Sequence, residues 1–173
     1  MEAMILSGGR GTRLRPITDS IPKPLIPINN TPLIDWSIKY LKKFGITDII
    51  LCNGYRTKQI ERHIKAKNNF GCKIQYSVEK TPLGTAGAIK KAMKKISGKS
   101  FIVINGDIIT NLNLKKITSK PNCIAAIELR TKFGTMKINK NKIVKFNEKT
   151  DVENIWMNPG AVSYTHLTLP TKA

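Results

Sequence analysis

Acidic side chains are few: 11 aspartates and glutamates stand against 30 lysines and arginines, a formal net charge of +19 in 173 residues. An excess of that size raises the question of a nucleic-acid partner. Its distribution argues otherwise. Lysines recur as pairs in helix-like stretches (Lys42 and Lys43, Lys90 and Lys91, Lys94 and Lys95) without interleaved aromatics, and no helix-turn-helix, zinc-finger or RNP pattern is present. The charge reads as a solvated lysine-rich surface that would also attract small phosphorylated molecules, and no specific nucleic-acid partner is expected. Cysteine is scarce too. Cys52, Cys72 and Cys123 are odd in number, far apart and set in or beside apolar runs, which fits small core side chains better than disulfides or zinc. No run reaches the roughly 18 consecutive apolar residues of a membrane span, and "MEAMILSGG" lacks the basic start and long apolar stretch of a signal peptide. No membrane partner is expected, and the expected compartment is the cytoplasm. Of the two histidines, His63 lies on a helix face beside Arg62 and reads as a surface residue, while His166 and the nearby Tyr164 are assigned no role.

What is present is an alternation of apolar runs and helical periodicity. "EAMIL" (Glu2 to Leu6) reads as a buried strand ending in glycines. Thr31 and Pro32 supply an N-cap and first-turn signal for a helix with Ile34, Ile38 and Leu41 on one face and Gly45 as its stop. "DIILC" (Asp48 to Cys52) is a second strand, residues 57–67 a helix with Ile60 and Ile64 on one face, and "KIQYSV" (Lys73 to Val78) a third strand. Ala86, Ile89, Met93 and Ile96 mark a helix ending near Gly98, followed by the apolar run "FIVIN" (Phe101 to Asn105). Such a succession is a run of βαβ units, hence an α/β fold with a mostly parallel sheet covered on both faces. After Asp107 the pieces "CIAAIEL", "GTMKI" and "KIVKF" suggest a small antiparallel or mixed extension, with "NKNK" as a hairpin turn.

The connection from Ser7 to Asn30 is far longer than the two to about six residues of an ordinary βα loop, and it lies where α/β sheets bind ligands. Its "GGRGTRLRP" fails the dinucleotide fingerprint, because Leu14 stands where the third glycine belongs and Pro16 blocks a clean helix start. It fails the P-loop pattern too, because Thr12 and Arg13 follow Gly11 where Lys and Ser or Thr are required. A glycine loop remains, whose N–H groups can approach a polyphosphate, with Arg13 and Lys23 as cationic clamps and four prolines stiffening it.

"GGRGTRLRPITDSIPKPLIPI" resembles the signature of the sugar-1-phosphate nucleotidyltransferases, matching G-G-x-G-T-R-L-x-P-x-T-x-x-x-P-K-P-L from Gly8 to Leu25. "EKTPLGTAGA" (Glu79 to Ala88), "VINGD" (Val103 to Asp107), "FNEK" (Phe146 to Lys149) and "MNPG" (Met157 to Gly160) extend the resemblance. It implies a Rossmann-like three-layer αβα fold with a mostly parallel, mixed sheet. It implies Mg²⁺ dependence and transfer of a nucleotidyl group from an NTP to a sugar 1-phosphate, with release of pyrophosphate. The NTP and the sugar phosphate are the implied partners, and a homo-oligomer of the full-length protein stands open.

The resemblance also assigns roles. Arg13, Lys23 and Asp107 match the catalytic positions, the first two on the triphosphate and Asp107 as metal ligand. Leu6, Gly8, Gly9, Gly11, Thr12, Glu79, Gly84 and Thr85 fall at the nucleotide, and Gly134, Glu148, Lys149 and Asn158 at the sugar phosphate. Thr150 replaces the proline of the family's E-K-P, and Pro159 interrupts its N-A-G. Glu79 stands where thymidylyl- and uridylyl-transferring relatives carry glutamine. A carboxylate only accepts, which suits the adjacent N–H donors of guanine better than the Watson–Crick edge of thymine or uracil. GTP is therefore favoured, with dTTP or UTP and glucose 1-phosphate as the alternative. A non-catalytic nucleotide-sugar-binding regulator is the alternative of another class.

One nucleotidyltransferase domain is expected over residues 1–161, incomplete at its C-terminus and missing a second metal-binding aspartate. The closing "AVSYTHLTLPTKA" resembles an in-frame translation of a common sequencing adapter over Val162 to Thr171, so residues 162–173 are expected to be a non-native read-through tail.

Overall fold

The computed structural model describes residues 1–119, 122–130, 134–147 and 151–164, with backbone alone for Arg130 and residues 151–154. In chain order the elements are β1 (Glu2–Ser7), α1 (Ile17–Ser20), β2 (Pro27–Ile28), β3 (Thr31–Pro32), α2 (Leu33–Lys43), β4 (Asp48–Asn53), α3 (Thr57–Ala66), β5 (Lys73–Val78) and α4 (Gly84–Met93). They continue with β6 (Phe101–Asn105), α5 (Leu114–Thr118), β7 (Ile127–Arg130), β8 (Thr135–Asn139), β9 (Lys142–Asn147), β10 (Asp151–Met157) and β11 (Ala161–Tyr164). The chain divides into two compact units, one of residues 1–124 with 160–173, the other Ala125–Pro159.

The first unit is built on a five-stranded sheet of order β11-β6-β1-β4-β5. β6, β1, β4 and β5 run parallel, and β11 closes one edge antiparallel to β6. Parallel strands are buried on both faces and so read as near-continuous apolar runs, which is why "AMIL", "IILC" and "FIVI" were legible as strands. One face carries Met4, Ile50, Cys52, Phe101 and Val103, which pack with Ala88, Ile89 and Ala92 of α4 into a single cluster. Alternation sends Ala3, Ile5, Ile49, Leu51, Ile102 and Ile104 to the other face, where all are buried. The fully buried Ile34, Ile38 and Leu41 of α2 and Ile60 and Ile64 of α3 supply the helical stripes opposite. This is the mixed, mostly parallel α/β sheet that the sequence predicts. Val162, Ser163 and Tyr164, from the segment expected as a tail, pair with Val103, Ile102 and Phe101, and the Tyr164 ring stacks on Phe101.

Several boundaries differ from expectation. The helix expected to have Thr31 as N-cap and Pro32 in its first turn starts at Leu33, one residue later. Asn29 and Asn30 both adopt positive φ, forming a tight turn that pairs Thr31 and Pro32 with Ile28 and Pro27. Two left-handed asparagines suit a primed hairpin turn, and that local pairing outcompetes the N-cap. The helix expected to end near Gly98 stops at Met93. Its continuation tightens into three-residue turns, after which the buried Glu2 carboxylate accepts the Ser97 and Gly98 N–H groups. α5 was not foreseen, although Asn113, whose Oδ1 accepts the Lys115 N–H, is a legible N-cap signal. His63 is not the surface residue expected: it contacts the carboxylate of Asp35, 4% exposed, at 2.6 Å, joining α3 to α2.

The second unit is antiparallel. β7 pairs with β10 and β8 with β9, the latter through a turn in which Lys140 and Asn141 both have positive φ. β10 escaped the sequence reading because its apolar residues do not alternate; the strand carries an irregularity between Asp151 and Trp156.

Candidate active site

Glycines govern how the long connection after β1 approaches the sheet's C-terminal edge. Gly11 has φ +64, and a Cβ there would lie 2.9 Å from Thr18 Cγ2 and 3.3 Å from Lys23 Cβ. Only glycine fits both the conformation and the space. Its carbonyl accepts the Leu14 N–H at 2.8 Å and the hydroxyl of the buried Thr18 at 3.0 Å, which folds residues 12–14 into a short turn carrying Arg13. Gly106 does the corresponding work after β6. Its N–H donates to the Leu6 carbonyl at 2.9 Å, and a Cβ would sit 2.9 Å from that same oxygen. β6 therefore hands Asp107 directly to the end of β1.

These segments enclose a cavity of about 590 Å³ lined by Arg13, Lys23 and Asp107 together with Leu6, Gly9, Gly11, Thr12 and Thr85. Lys23 Nζ lies 2.5 Å from Asp107 Oδ2, with the two side chains 32% and 42% exposed. An ion pair that exposed contributes about 0–1 kcal/mol, so an incoming anion can claim the lysine at little cost. The cavity thus offers two cations, a glycine loop and one carboxylate, a set that can hold a polyphosphate and the cation that accompanies it.

A second cavity of about 260 Å³ adjoins the first, sharing Leu6, Gly9 and Thr85 with it. Gly8, Gly84 and Glu79 line it, with Cys52, Pro82 and Ala88. Glu79 is held in place: its Oε2 accepts the Leu83 N–H at 2.9 Å, and a Cβ on Gly8 would come within 3.4 Å of its Oε1. Burial, reinforced by the negative charge of Glu79, pushes the Cys52 thiol from its ordinary 9.0 up to about 12, so it is no nucleophile here.

The fold thus brings together Arg13, Lys23, Asp107, Leu6, Gly8, Gly9, Gly11, Thr12, Glu79, Gly84 and Thr85, which occupy two adjoining cavities of the first unit. Gly134 and Asn158 belong to the second unit, where a Cβ on Gly134 would strike the ring of Phe146. Glu148 and Lys149 lie outside the described residues. Sequence reasoning assigned no role to Ser7, Thr18 or Asn105. Thr18 stood inside the quoted loop signature, but nothing in one dimension shows its hydroxyl reaching back to Gly11.

A parallel sheet carrying a glycine loop, two cations and a carboxylate at its C-terminal edge defines a nucleotide-binding α/β protein. A family model described as nucleotidyl transferase matches residues 2–166, and the chain belongs to that family. The D-glycero-α-D-manno-heptose 1-phosphate guanylyltransferase of Campylobacter jejuni is 38% identical over 165 residues, covering 92% of this chain and 74% of that enzyme. The N-acetylmuramate α-1-phosphate uridylyltransferase of Neisseria meningitidis is 41% identical over 114 residues, 65% of this chain and 49% of that one. The crystal structure of HddC from Yersinia pseudotuberculosis complexed with GMP-PN superposes with a TM-score of 0.73 at 32% identity, over 95% of this chain and 76% of that chain. The class is accordingly that of a nucleotidyltransferase enzyme, as the signature led us to expect.

Proposed function

We propose that the chain binds GTP and a sugar 1-phosphate and forms a GDP-sugar with release of pyrophosphate. The observation that carries this reading is the pair of adjoining cavities, with Arg13, Lys23 and Asp107 in one and the anchored Glu79 carboxylate in the other. In the reaction an oxygen of the sugar phosphate attacks the α-phosphorus in line. The bond from that phosphorus to the bridging oxygen of the β-phosphate breaks, and pyrophosphate carries away the electron pair. No covalent link to the protein is needed. Arg13 and Lys23 neutralise the charge that builds on the phosphoryl oxygens, and the N–H groups around Gly9 and Gly11 add fixed dipoles. Lys23 exchanges its partner Asp107 for phosphate as the nucleotide enters, which leaves the carboxylate available.

Asp107 would hold Mg²⁺, whose role when bound is to neutralise and orient the phosphates. The donor set fits: the Asp107 carboxylate, 42% exposed, faces the cavity that Arg13 and Lys23 also line, where phosphate oxygens could complete the coordination. One carboxylate supplemented by phosphate and water oxygens is a usual environment for this ion. Among the described residues no helix is long and apolar enough to cross a membrane, and the cytoplasm is the proposed compartment.

GTP is favoured because the Glu79 carboxylate can only accept hydrogen bonds, and the Campylobacter guanylyltransferase supports this choice. The Neisseria uridylyltransferase, 41% identical over 65% of this chain, keeps UTP as the second reading. The test is pyrophosphate release from GTP, UTP, dTTP, ATP and CTP, each paired with a panel of sugar 1-phosphates and Mg²⁺. Turnover with GTP is expected; turnover with UTP or dTTP alone overturns the base assignment, and none with any pair overturns the catalytic reading.

A further inference from the structure

Asn53 closes β4 and is wholly buried, yet it touches both halves of the candidate site. Toward the phosphate side, the Ser7 hydroxyl at the end of β1 donates to Asn53 Oδ1 at 2.6 Å. Toward the base side, the Asn53 carbonyl accepts the Glu79 N–H at 2.8 Å. The next residue, Gly54, is pressed against the glycine loop: a Cβ there would lie 2.8 Å from the Gly8 carbonyl oxygen. That same oxygen accepts the Tyr55 N–H at 3.3 Å. Among the described residues the Asn53 Nδ2 amide finds no acceptor. A buried amide with an unmet donor is unfavourable relative to an apolar side chain of similar size, and every other core position of β4 is apolar or cysteine. The Asn53 side chain holds Ser7, which lines the phosphate cavity, and its backbone carbonyl holds Glu79, which lines the base cavity.

We propose that Asn53 is a positioning residue of the nucleotide site: through its side-chain bond to Ser7 it fixes the separation between the end of β1, in the wall of the phosphate cavity, and Glu79, whose N–H is held by the Asn53 carbonyl in the base cavity, so that both ends of one nucleotide meet a rigid cradle. This rests on the reading of the two cavities as an NTP site. Preorganisation of this kind lowers the ordering cost of binding for a ligand that spans both ends, and has no effect on one that touches the phosphate end alone.

The test compares Ser7→Ala, Asn53→Ala and the double variant in the full chain by calorimetric titration. Two probes are used: inorganic tripolyphosphate, and whichever of GTP and UTP the wild type binds more tightly. Ser37→Ala is the control, since it removes another buried hydroxyl, bonded to the Leu33 carbonyl within α2, and touches neither cavity. Loss of one buried hydrogen bond is expected to weaken the nucleoside triphosphate about five- to tenfold in each single variant. The double variant should be no weaker than the singles, because both remove one shared link. Tripolyphosphate affinity should stay within about twofold. Ser7→Ala deletes a single oxygen and keeps the question answerable where Asn53→Ala does not fold. Equal losses for both probes, or nucleotide affinities matching the Ser37→Ala control, overturn the positioning role while leaving the site assignment intact. A wild type that binds no nucleoside triphosphate overturns the site assignment, and the positioning role with it.

Discussion

The Lys23 ammonium meets the Asp107 carboxylate at 2.5 Å although 84 positions separate them in the chain. The pair is formed by the loop after β1 and the turn after β6, and it sits in the larger cavity with Arg13. Both partners are substantially exposed, so its contribution to folding is about 0–1 kcal/mol. Lys23→Ala and Asp107→Asn should therefore leave the melting temperature almost unchanged while lowering turnover about 10²- to 10³-fold, the usual scale for removing one charge-stabilising group. Parallel melting curves and pyrophosphate assays separate the two effects; a stability loss matching the activity loss would sink the functional assignment.

Gly11→Ala should act through the backbone. A left-handed conformation costs a residue with a Cβ about 1–2 kcal/mol, and the new methyl would press on Thr18 and Lys23. The expected result is weaker triphosphate binding with a smaller drop in melting temperature. Thr18→Val, which keeps the shape but loses the hydroxyl bond to Gly11, should move both quantities the same way by a lesser amount.

Glu79→Gln replaces an acceptor with a group that both donates and accepts. The ratio of kcat/KM for GTP over UTP should fall about tenfold, the scale of one mismatched hydrogen bond in a pocket. An unchanged ratio means that Glu79 does not read the base.

Cys52 is 1% exposed in the wall of the smaller cavity, and burial lifts its thiol from 9.0 to about 12. The folded protein keeps this proton at a pH where the unfolded chain has lost it. The associated stability is complete below about pH 9 and declines as pH rises toward 12. Urea unfolding between pH 8 and 11 should show that decline, and Cys52→Ser should lessen its slope; an unaltered slope refutes the assignment. Tyr40, raised by burial to about 12, titrates in the same direction and accounts for part of what remains.

Much of the first unit could be read in advance because its physics is local. β4 reads as an unbroken apolar run, buried from Ile49 to Asn53, and α3 shows Ile60 and Ile64 one turn apart because only one stripe faces the sheet. The loop signature likewise named Gly11, Arg13 and Lys23, since a glycine at positive φ and cations beside it are chemical needs that leave a trace in the sequence. Element ends were less legible. They are set by long-range partners such as Glu2, whose carboxylate caps the chain at Ser97 and Gly98 across the fold.

By itself, then, the order of residues determined the alternation of strands and helices, the glycine loop and the charged side chains that mark this family. Tertiary structure alone decided which of them meet. Asp107 faces Lys23 because Gly106 lets β6 press its end against β1, and Glu79 faces Gly8 because Gly54 lets β4 do the same. His63 found its partner in Asp35 in the same manner, through the packing of two helices. Hydrophobic periodicity acts over a few residues and is written in sequence, whereas a contact between chain ends of different strands depends on strand order and register, which no short segment contains.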